Sequence, residues 1–248
     1  MNEPEFRPLF KDGPIFNYNS KAFSLCTDSI LLADFAICNN VNIKRFAELG
    51  CGSGAVSLLF SHRFPNSEAA LLDISENAIA AATENFAANS MAARARFLLS
   101  DVSDIRKTLE CERFELVISN PPYFNPERGK ASPDFGRNQS RHGRVDVLAD
   151  FFSAASYLLK AKGSFCFVMR TDRLAETIAL LKSFKLEPKK LRMIHDKSDS
   201  KSKIFLMEAK KNAAPGMTAL PPLILRNADG SLSHEHLGIY RIYNLNES

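Results

Sequence analysis

The chain reads as a doubly wound α/β sheet of seven strands, with helices on both faces and the last strand antiparallel. Three observations carry this reading. Apolar β-rich runs alternate with helical runs, the segment Leu116-Val117-Ile118 is apolar on both faces, and only the polar stretch Asp196–Lys203 separates the last two strand candidates. Strands buried on both faces belong to parallel sheets covered by helices, joined by right-handed crossovers. A connection as short as the last cannot make a parallel crossover, so the final strand reverses.

In chain order, the residues before Arg45 read as extended segments plus one helix. Strands are expected at Arg45–Leu49, Glu68–Ile74, Ala95–Ser100, Phe114–Ser119, Ser164–Arg170, Lys189–His195 and Ile204–Ala209. Between them lie helices at Ala55–Arg63, Glu76–Asn89, Val102–Leu109, Val147–Lys160 and Arg173–Phe184. The helix after Ser75 is the clearest: Ser75 can cap it, Glu76 sits in its first turn, and Ile79, Ala82 and Phe86 recur at helical spacing. No repeat or linker interrupts the pattern. The expectation is one domain over residues 1–248, with an N-terminal extension to 44, a core sheet over 45–210 and a C-terminal extension over 211–248.

Composition excludes several classes. Thirty-two basic against 28 acidic side chains leave +4 over 248 residues, so global charge names no partner. The five cysteines (Cys26, Cys38, Cys51, Cys111, Cys166) are odd in number and form no CxxC pair, which argues against a disulfide framework or a thiolate zinc site. The N-terminus lacks a basic start and apolar run, and no stretch approaches the ~20 apolar residues of a membrane span. A cytoplasmic protein without membrane attachment is expected, with no metal and no obligate protein partner.

Glu48-Leu49-Gly50-Cys51-Gly52-Ser53-Gly54 follows the first core strand and opens a helix. Glycines there allow a tight turn and close approach to a ligand, at the carboxyl edge where open sheets bind ligands. Asp73 and Asp101 end the next two strands. The spacing of Asp73 suits an acid on a ribose diol. A bare strand-to-helix turn would explain the glycines alone, but not the acids in series. A dinucleotide-binding dehydrogenase would instead read GxGxxG, with a helix N-terminus facing a pyrophosphate.

The fourth strand ends in Asn120-Pro121-Pro122-Tyr123-Phe124. Asparagine and proline also end strands as plain turns. Here they can do more. The side-chain carbonyl of Asn120 and the main-chain carbonyl of Pro121 can accept both N–H bonds of a conjugated amine, and so localise its lone pair on nitrogen. Pro121 and Pro122 stiffen the backbone and preorganise the acceptors. Tyr123 offers a face on which an extruded base stacks.

These two segments resemble motif I and the NPPY signature of the class I S-adenosylmethionine-dependent methyltransferases that act on adenine N6 or glutamine N5. Further segments narrow the resemblance. Thr27-Asp28-Ser29-Ile30-Leu31-Leu32-Ala33, the pair Arg141-His142, Leu186-Glu187-Pro188-Lys189-Lys190 and Leu220-Pro221-Pro222-Leu223-Ile224-Leu225 with Asp229-Gly230 look like the tRNA1(Val) adenine-N6 methyltransferase family. The likeness runs from Asn17 to Tyr243, with Gly143 where an acid is expected after Arg-His. It implies a Rossmann-like class I fold, S-adenosylmethionine as donor, and methylation of the adenosine 3′ of a tRNA anticodon. By the same resemblance, Glu48, Gly50, Gly52 and Gly54 line the methionine end and ribose, Asp73 holds the ribose hydroxyls, Asp101 the adenine amine and Asn120 the target nitrogen, with Ile74 and Val102 also expected at the cofactor. Thr27 with Asp28 either closes over the cofactor's amino-acid end, or Thr27 only caps the helix that begins there. Tyr123, Phe124, Arg141 and His142 are the expected substrate contacts.

Two basic regions are candidate RNA surfaces. Phe124–Val145 holds five basic residues against two acids beside the expected active site, and Lys185–Lys211 holds nine against four. Either could be an ordinary solvated surface. His234-Glu235-His236 has no further metal ligands nearby in sequence. A protein glutamine-N5 methyltransferase is an alternative, since a planar amide can use the same Asn-Pro carbonyls. Only 47 residues precede Glu48, little room for the helical recognition domain that such enzymes carry. An rRNA guanine-N2 methyltransferase is a further alternative; a non-catalytic RNA-binding protein would be expected to show an altered NPPY.

Overall fold

A computed structural model describes residues 4–10, 12–19, 25–122 and 144–242. The chain opens with an antiparallel hairpin, β1 (Phe6–Pro8) and β2 (Ile15–Asn17), followed by α1 (Thr27–Asn39). Then come β3 (Arg45–Leu49), α2 (Ala55–Arg63), β4 (Glu68–Asp73), α3 (Glu76–Ala88), β5 (Ala95–Leu99), α4 (Ile105–Thr108) and β6 (Phe114–Ser119). The second half holds α5 (Arg144–Leu158), β7 (Leu159–Arg170), α6 (Leu174–Ser183), β8 (Leu186–His195) and β9 (Ile204–Lys211). Two short strands, β10 (Thr218–Ala219) and β11 (Leu223–Ile224), and the helix α7 (His234–Ile242) complete it.

The main sheet has the order β10-β8-β9-β7-β6-β3-β4-β5, with β11 also paired to β8. The expected seven strands are all present, but the sheet has nine, because β10 and β11 lie parallel along the outer edge of β8. Pro221 and Pro222 separate them and lack N–H donors, which keeps each piece to two residues. The reversed strand is β9, antiparallel to both neighbours, β7 and β8. It is the last of the seven, as expected, yet it lies inside the sheet and two short parallel strands follow it.

Some boundaries differ from expectation. β8 begins at Leu186, three residues early, with Pro188 taken up at an irregularity in its ladder to β9. β7 begins at Leu159 and runs for 12 residues. The helix expected over Val102–Leu109 is a 3-10 turn, Val102–Asp104, followed by the single turn of α4. Ser75 caps α3 as expected, its hydroxyl accepting from the Ala78 N–H at 3.4 Å.

Alternation along the strands divides the core. Leu116 and Ile118 pack with Phe46, Phe60 and Phe86 on the face carrying α1, α2 and α3. Val117 packs with Phe152, Phe165 and Phe167 on the other. Those three rings form one cluster with centroids 4.8–5.5 Å apart, and all are fully buried. Phe152→Ala is therefore expected to cost about 3–5 kcal/mol in urea denaturation. A loss below about 1 kcal/mol would contradict this packing.

Candidate active site

The carboxyl ends of β6, β3, β4 and β5 lie side by side. Leu49 pairs with Leu72 and with Ser119, and Asp73 pairs with Leu99. Asn120, the glycine loop, Asp73 with Ile74, and Asp101 therefore follow one another along the carboxyl edge. At ~4.8 Å per strand they span about 14 Å.

The loop between β3 and α2 turns through left-handed backbone at Gly50, Gly52 and Gly54, with φ of 70°, 52° and 75°. A Cβ at Gly54 would lie 3.1 Å from Ala82 Cβ and from Leu71 Cδ2, and one at Gly50 3.3 Å from Phe151 Cε1. The N–H groups of Gly50 and Cys51 both donate to Leu72 O, at 2.8 and 3.0 Å. Asp73 holds the middle of the loop, accepting from the Gly52 N–H at 2.8 Å and the Ser75 N–H at 2.9 Å. Burial pushes the Asp73 carboxyl above its usual range, against the pull of those N–H groups. Ile74 and Leu99 beside it expose 41% and 53% of their surface, an apolar ledge on the same edge.

Other expected residues sit differently. Glu48 is buried at 1% exposure and points to α2, where Ser57 donates its N–H at 3.0 Å and its hydroxyl to one carboxyl oxygen. Burial pushes its pKa up to about 8, although the Ser57 hydrogen bonds oppose this. Asp101 caps the 3-10 turn by accepting from Ser103 N–H and Oγ, at 2.9 and 2.8 Å. The Val102 side chain is buried in the core beneath that turn. Thr27 is the first residue of α1, and its hydroxyl lies 3.4 Å from Tyr240 OH on α7.

At the end of β6, Ser119 Oγ donates to Leu49 O at 2.8 Å and locks the two strand ends together. Asn120 and Pro122 are half-buried and Pro121 is buried. The Asn120 side chain has no hydrogen-bond partner among the described residues. Tyr123, Phe124, Arg141, His142 and Gly143 lie outside the described residues. His236 is tied to Leu225 O at 3.0 Å, Glu235 pairs with Arg192, and among the described residues no three His, Cys, Asp or Glu side chains form a metal-binding group.

The basic region Lys185–Lys211 is not one patch. Leu186 pairs with Lys211 at one end of the β8–β9 ladder and Ile194 with Ile204 at the other. Those ends lie about 25 Å apart. Lys197, Lys201 and Lys203 share the edge that carries Asn120, whereas Lys185, Lys210 and Lys211 sit on the opposite edge. On that far edge Lys182, Lys210 and Lys211 face Glu187, Glu208 and Glu112 at 3.4, 3.7 and 2.9 Å. On the near edge Lys201 and Lys203 are exposed and without an ion-pair partner among the described residues. Their hairpin is ordered by Ser200, which bonds to Lys197 and, through its carbonyl, to His195 Nδ1 at 2.7 Å. Asp199 lies at its tip, and Asp196 faces Arg226 at 3.5 Å.

Sequence and structure comparisons converge. The family described as "Methyltransferase small domain" matches residues 28–191. A tRNA1(Val) (adenine(37)-N6)-methyltransferase from Vibrio campbellii is 32% identical over 143 residues, 58% of this chain and 57% of its own length. One of the same name from Tolumonas auensis is 27% identical over 222 residues, 88% of each chain. Among solved structures, a predicted O-methyltransferase from Agrobacterium tumefaciens superposes with a TM-score of 0.70 at 21% identity, covering 89% of this chain and 98% of that one. A T. thermophilus 16S rRNA N2 methyltransferase in complex with AdoMet and guanosine has a TM-score of 0.60 at 19% identity, covering 84% of this chain and 50% of that one.

Glu48 makes the site's surroundings sensitive to pH. Its folded pKa of about 8 exceeds the ordinary 4.5, so the stability its protonated form contributes is complete at low pH and is lost as pH rises through about 8. Urea denaturation of wild type and Glu48→Gln at pH 5 and pH 9 is expected to show the difference shifting against wild type at the higher pH. A difference that stays constant would place the Glu48 carboxyl in water.

Proposed function

The chain belongs to the methyltransferase small domain family, and from that premise we propose that it transfers a methyl group from S-adenosylmethionine to N6 of adenosine 37 in tRNA1(Val). The observation that carries this reading is Asn120-Pro121-Pro122 standing beside the glycine loop with the Asn120 amide free of described partners. The relatives from Vibrio and Tolumonas bear that activity in their names.

The residues on the edge fit such a cofactor. Asp73 suits a ribose diol, the exposed Ile74 an adenine face and Asp101 an amine, while the left-handed loop brings backbone close to the ligand. A phosphate-bearing cofactor fits less well. The Ser57 N–H, in the first turn of α2 where a pyrophosphate would be sought, already binds the Glu48 carboxyl. When bound, S-adenosylmethionine supplies an electrophilic methyl on a sulfonium.

Asn120 Oδ1 and the Pro121 carbonyl accept the two N–H bonds of the adenine amine and favour a pyramidal nitrogen with a localised lone pair. The two prolines and the Ser119–Leu49 bond hold these acceptors in place before the substrate arrives. No strong base is required, because the amine becomes strongly acidic once methylated and its proton passes to water. Lys201 and Lys203 take the RNA backbone on the same edge. A tRNA substrate implies a cytoplasmic site of action. Among the described residues no helix is long and apolar enough to cross a membrane.

The test is transfer of methyl label to three acceptors: unmodified total tRNA, release factor and ribosomal RNA. Label in tRNA alone is expected; label in release factor or only in ribosomal RNA would move the protein to a glutamine-N5 or guanine-N2 activity. Asn120→Ala is expected to lower kcat on the order of 10²–10³ while cofactor affinity, read by titration calorimetry, changes less than about threefold. Equal loss of both would assign Asn120 to the cofactor. Lys201→Glu with Lys203→Glu is expected to weaken tRNA binding and flatten its log–log salt dependence by roughly 1.5, with Lys185→Glu close to wild type. A matching loss in Lys185→Glu would contradict the edge assignment.

A further inference from the structure

We infer that Asn85, which joins the N-terminal hairpin to the cofactor loop, is a positioning residue whose bond to the Ser53 carbonyl sets cofactor affinity. The inference rests on the reading of residues 50–54 as the cofactor loop.

Asn85 lies near the end of α3 and Asn89 is its C-cap residue one turn on, both reaching β2. Asn89 meets both backbone groups of Ile15, accepting from its N–H at 2.8 Å and donating to its carbonyl at 2.7 Å. A neighbouring strand would make the same two bonds. Asn85 is fully buried and faces two ways. Its Oδ1 accepts from the Asn17 N–H at 2.8 Å, and its Nδ2 donates to Ser53 O at 2.9 Å. Ser53 lies between Gly52, held by Asp73, and Gly54, which begins α2 in left-handed conformation.

One side-chain amide thus spans from the last residue of the hairpin to the middle of the loop. The hairpin is itself seated, with Leu9 and Phe16 each at 1% exposure, and Asn17 Oδ1 closes it by accepting from the N–H groups of Glu5 and Asn19 at 3.1 and 3.0 Å. Asparagine is a poor residue for a helix interior, because its side chain competes for backbone groups. Asn85 in the helix interior is explained by the bonds it makes to β2 and the loop. In a buried setting those bonds are strong and costly to leave half-made. Loss of the Asn85 donor removes one of the bonds that hold the Ser53–Gly54 peptide, whose N–H donates to Cys51 O at 2.8 Å.

The test uses the full chain and three variants, with S-adenosylmethionine affinity by titration calorimetry, folding by circular dichroism, and steady-state kinetics on tRNA. Asn85→Asp keeps the acceptor for Asn17 but sets an oxygen against Ser53 O. Asn85→Ser is too short to span both partners and is the second variant should a buried carboxylate unfold the chain. The folded Asn85 variants are expected to lose at least tenfold in cofactor affinity, with kcat at saturating cofactor and KM for tRNA within about twofold of wild type. Asn89→Ala, which releases Ile15 but leaves the Ser53 bond, is expected to lose no more than threefold. Wild-type affinity in a folded Asn85 variant, or a loss in Asn89→Ala as large as in the Asn85 variants, would overturn the inference alone. Wild type that does not bind S-adenosylmethionine would overturn the cofactor reading and this inference with it.

Discussion

Between Leu49 and Ala55 the chain must leave a buried parallel strand and enter a helix in five residues, and the rest of the site depends on how that reversal is held. Three residues in left-handed backbone make it possible. Leu72 O receives two N–H groups from the loop, Asp73 receives a third, and Glu48 reaches forward to Ser57 in the first turn of α2. The loop is thereby tied to β4 on one side and α2 on the other, while Asn85 ties it to α3. The absence of a Cβ at Gly54 lets α3 approach at Ala82, which keeps those contacts short. A loop so constrained presents backbone to a ligand at a fixed place on the edge.

That reversal also explains the division of labour along the edge. β6 pairs with β3 and ends level with it, so Asn120 stands next to the loop and two strands from Asp73. On the proposed reading, the sheet's register is what brings the donor and the amine acceptors together, with proline backbone behind the acceptors. Of the three acids expected at the cofactor, Glu48 turns inward to Ser57, which leaves Asp73 and Asp101 at this edge. The basic side is narrower than the sequence suggests, since only half of the Lys185–Lys211 region reaches this edge.

Much of this was legible in the sequence because it is local. The seven main strands, the Ser75 cap and the strand-end positions of Gly50, Asp73, Asp101 and Asn120 follow from periodicity and turn chemistry. What was not legible depends on partners distant in sequence. β10 and β11 are two residues each, too short for any periodic signal, and exist because β8 offers an open edge. The inward turn of Glu48 needs Ser57 facing the same side, and Asn85 needs an N-terminal hairpin that arrives from 68 residues away. The lysines of β8 and β9 look clustered in sequence, but a hairpin sends its two ends to opposite edges of the sheet.

The central claim is that this edge presents adenine N6, and no other amine, to the donor. The most direct measurement is mass-spectrometric mapping of methylated nucleosides in two tRNA1(Val) transcripts after reaction, one with adenosine and one with guanosine at position 37. The account predicts N6-methyladenosine at position 37 in the first transcript and no methyl group in the second. Methylation at another position, or of guanosine in the second transcript, would contradict it.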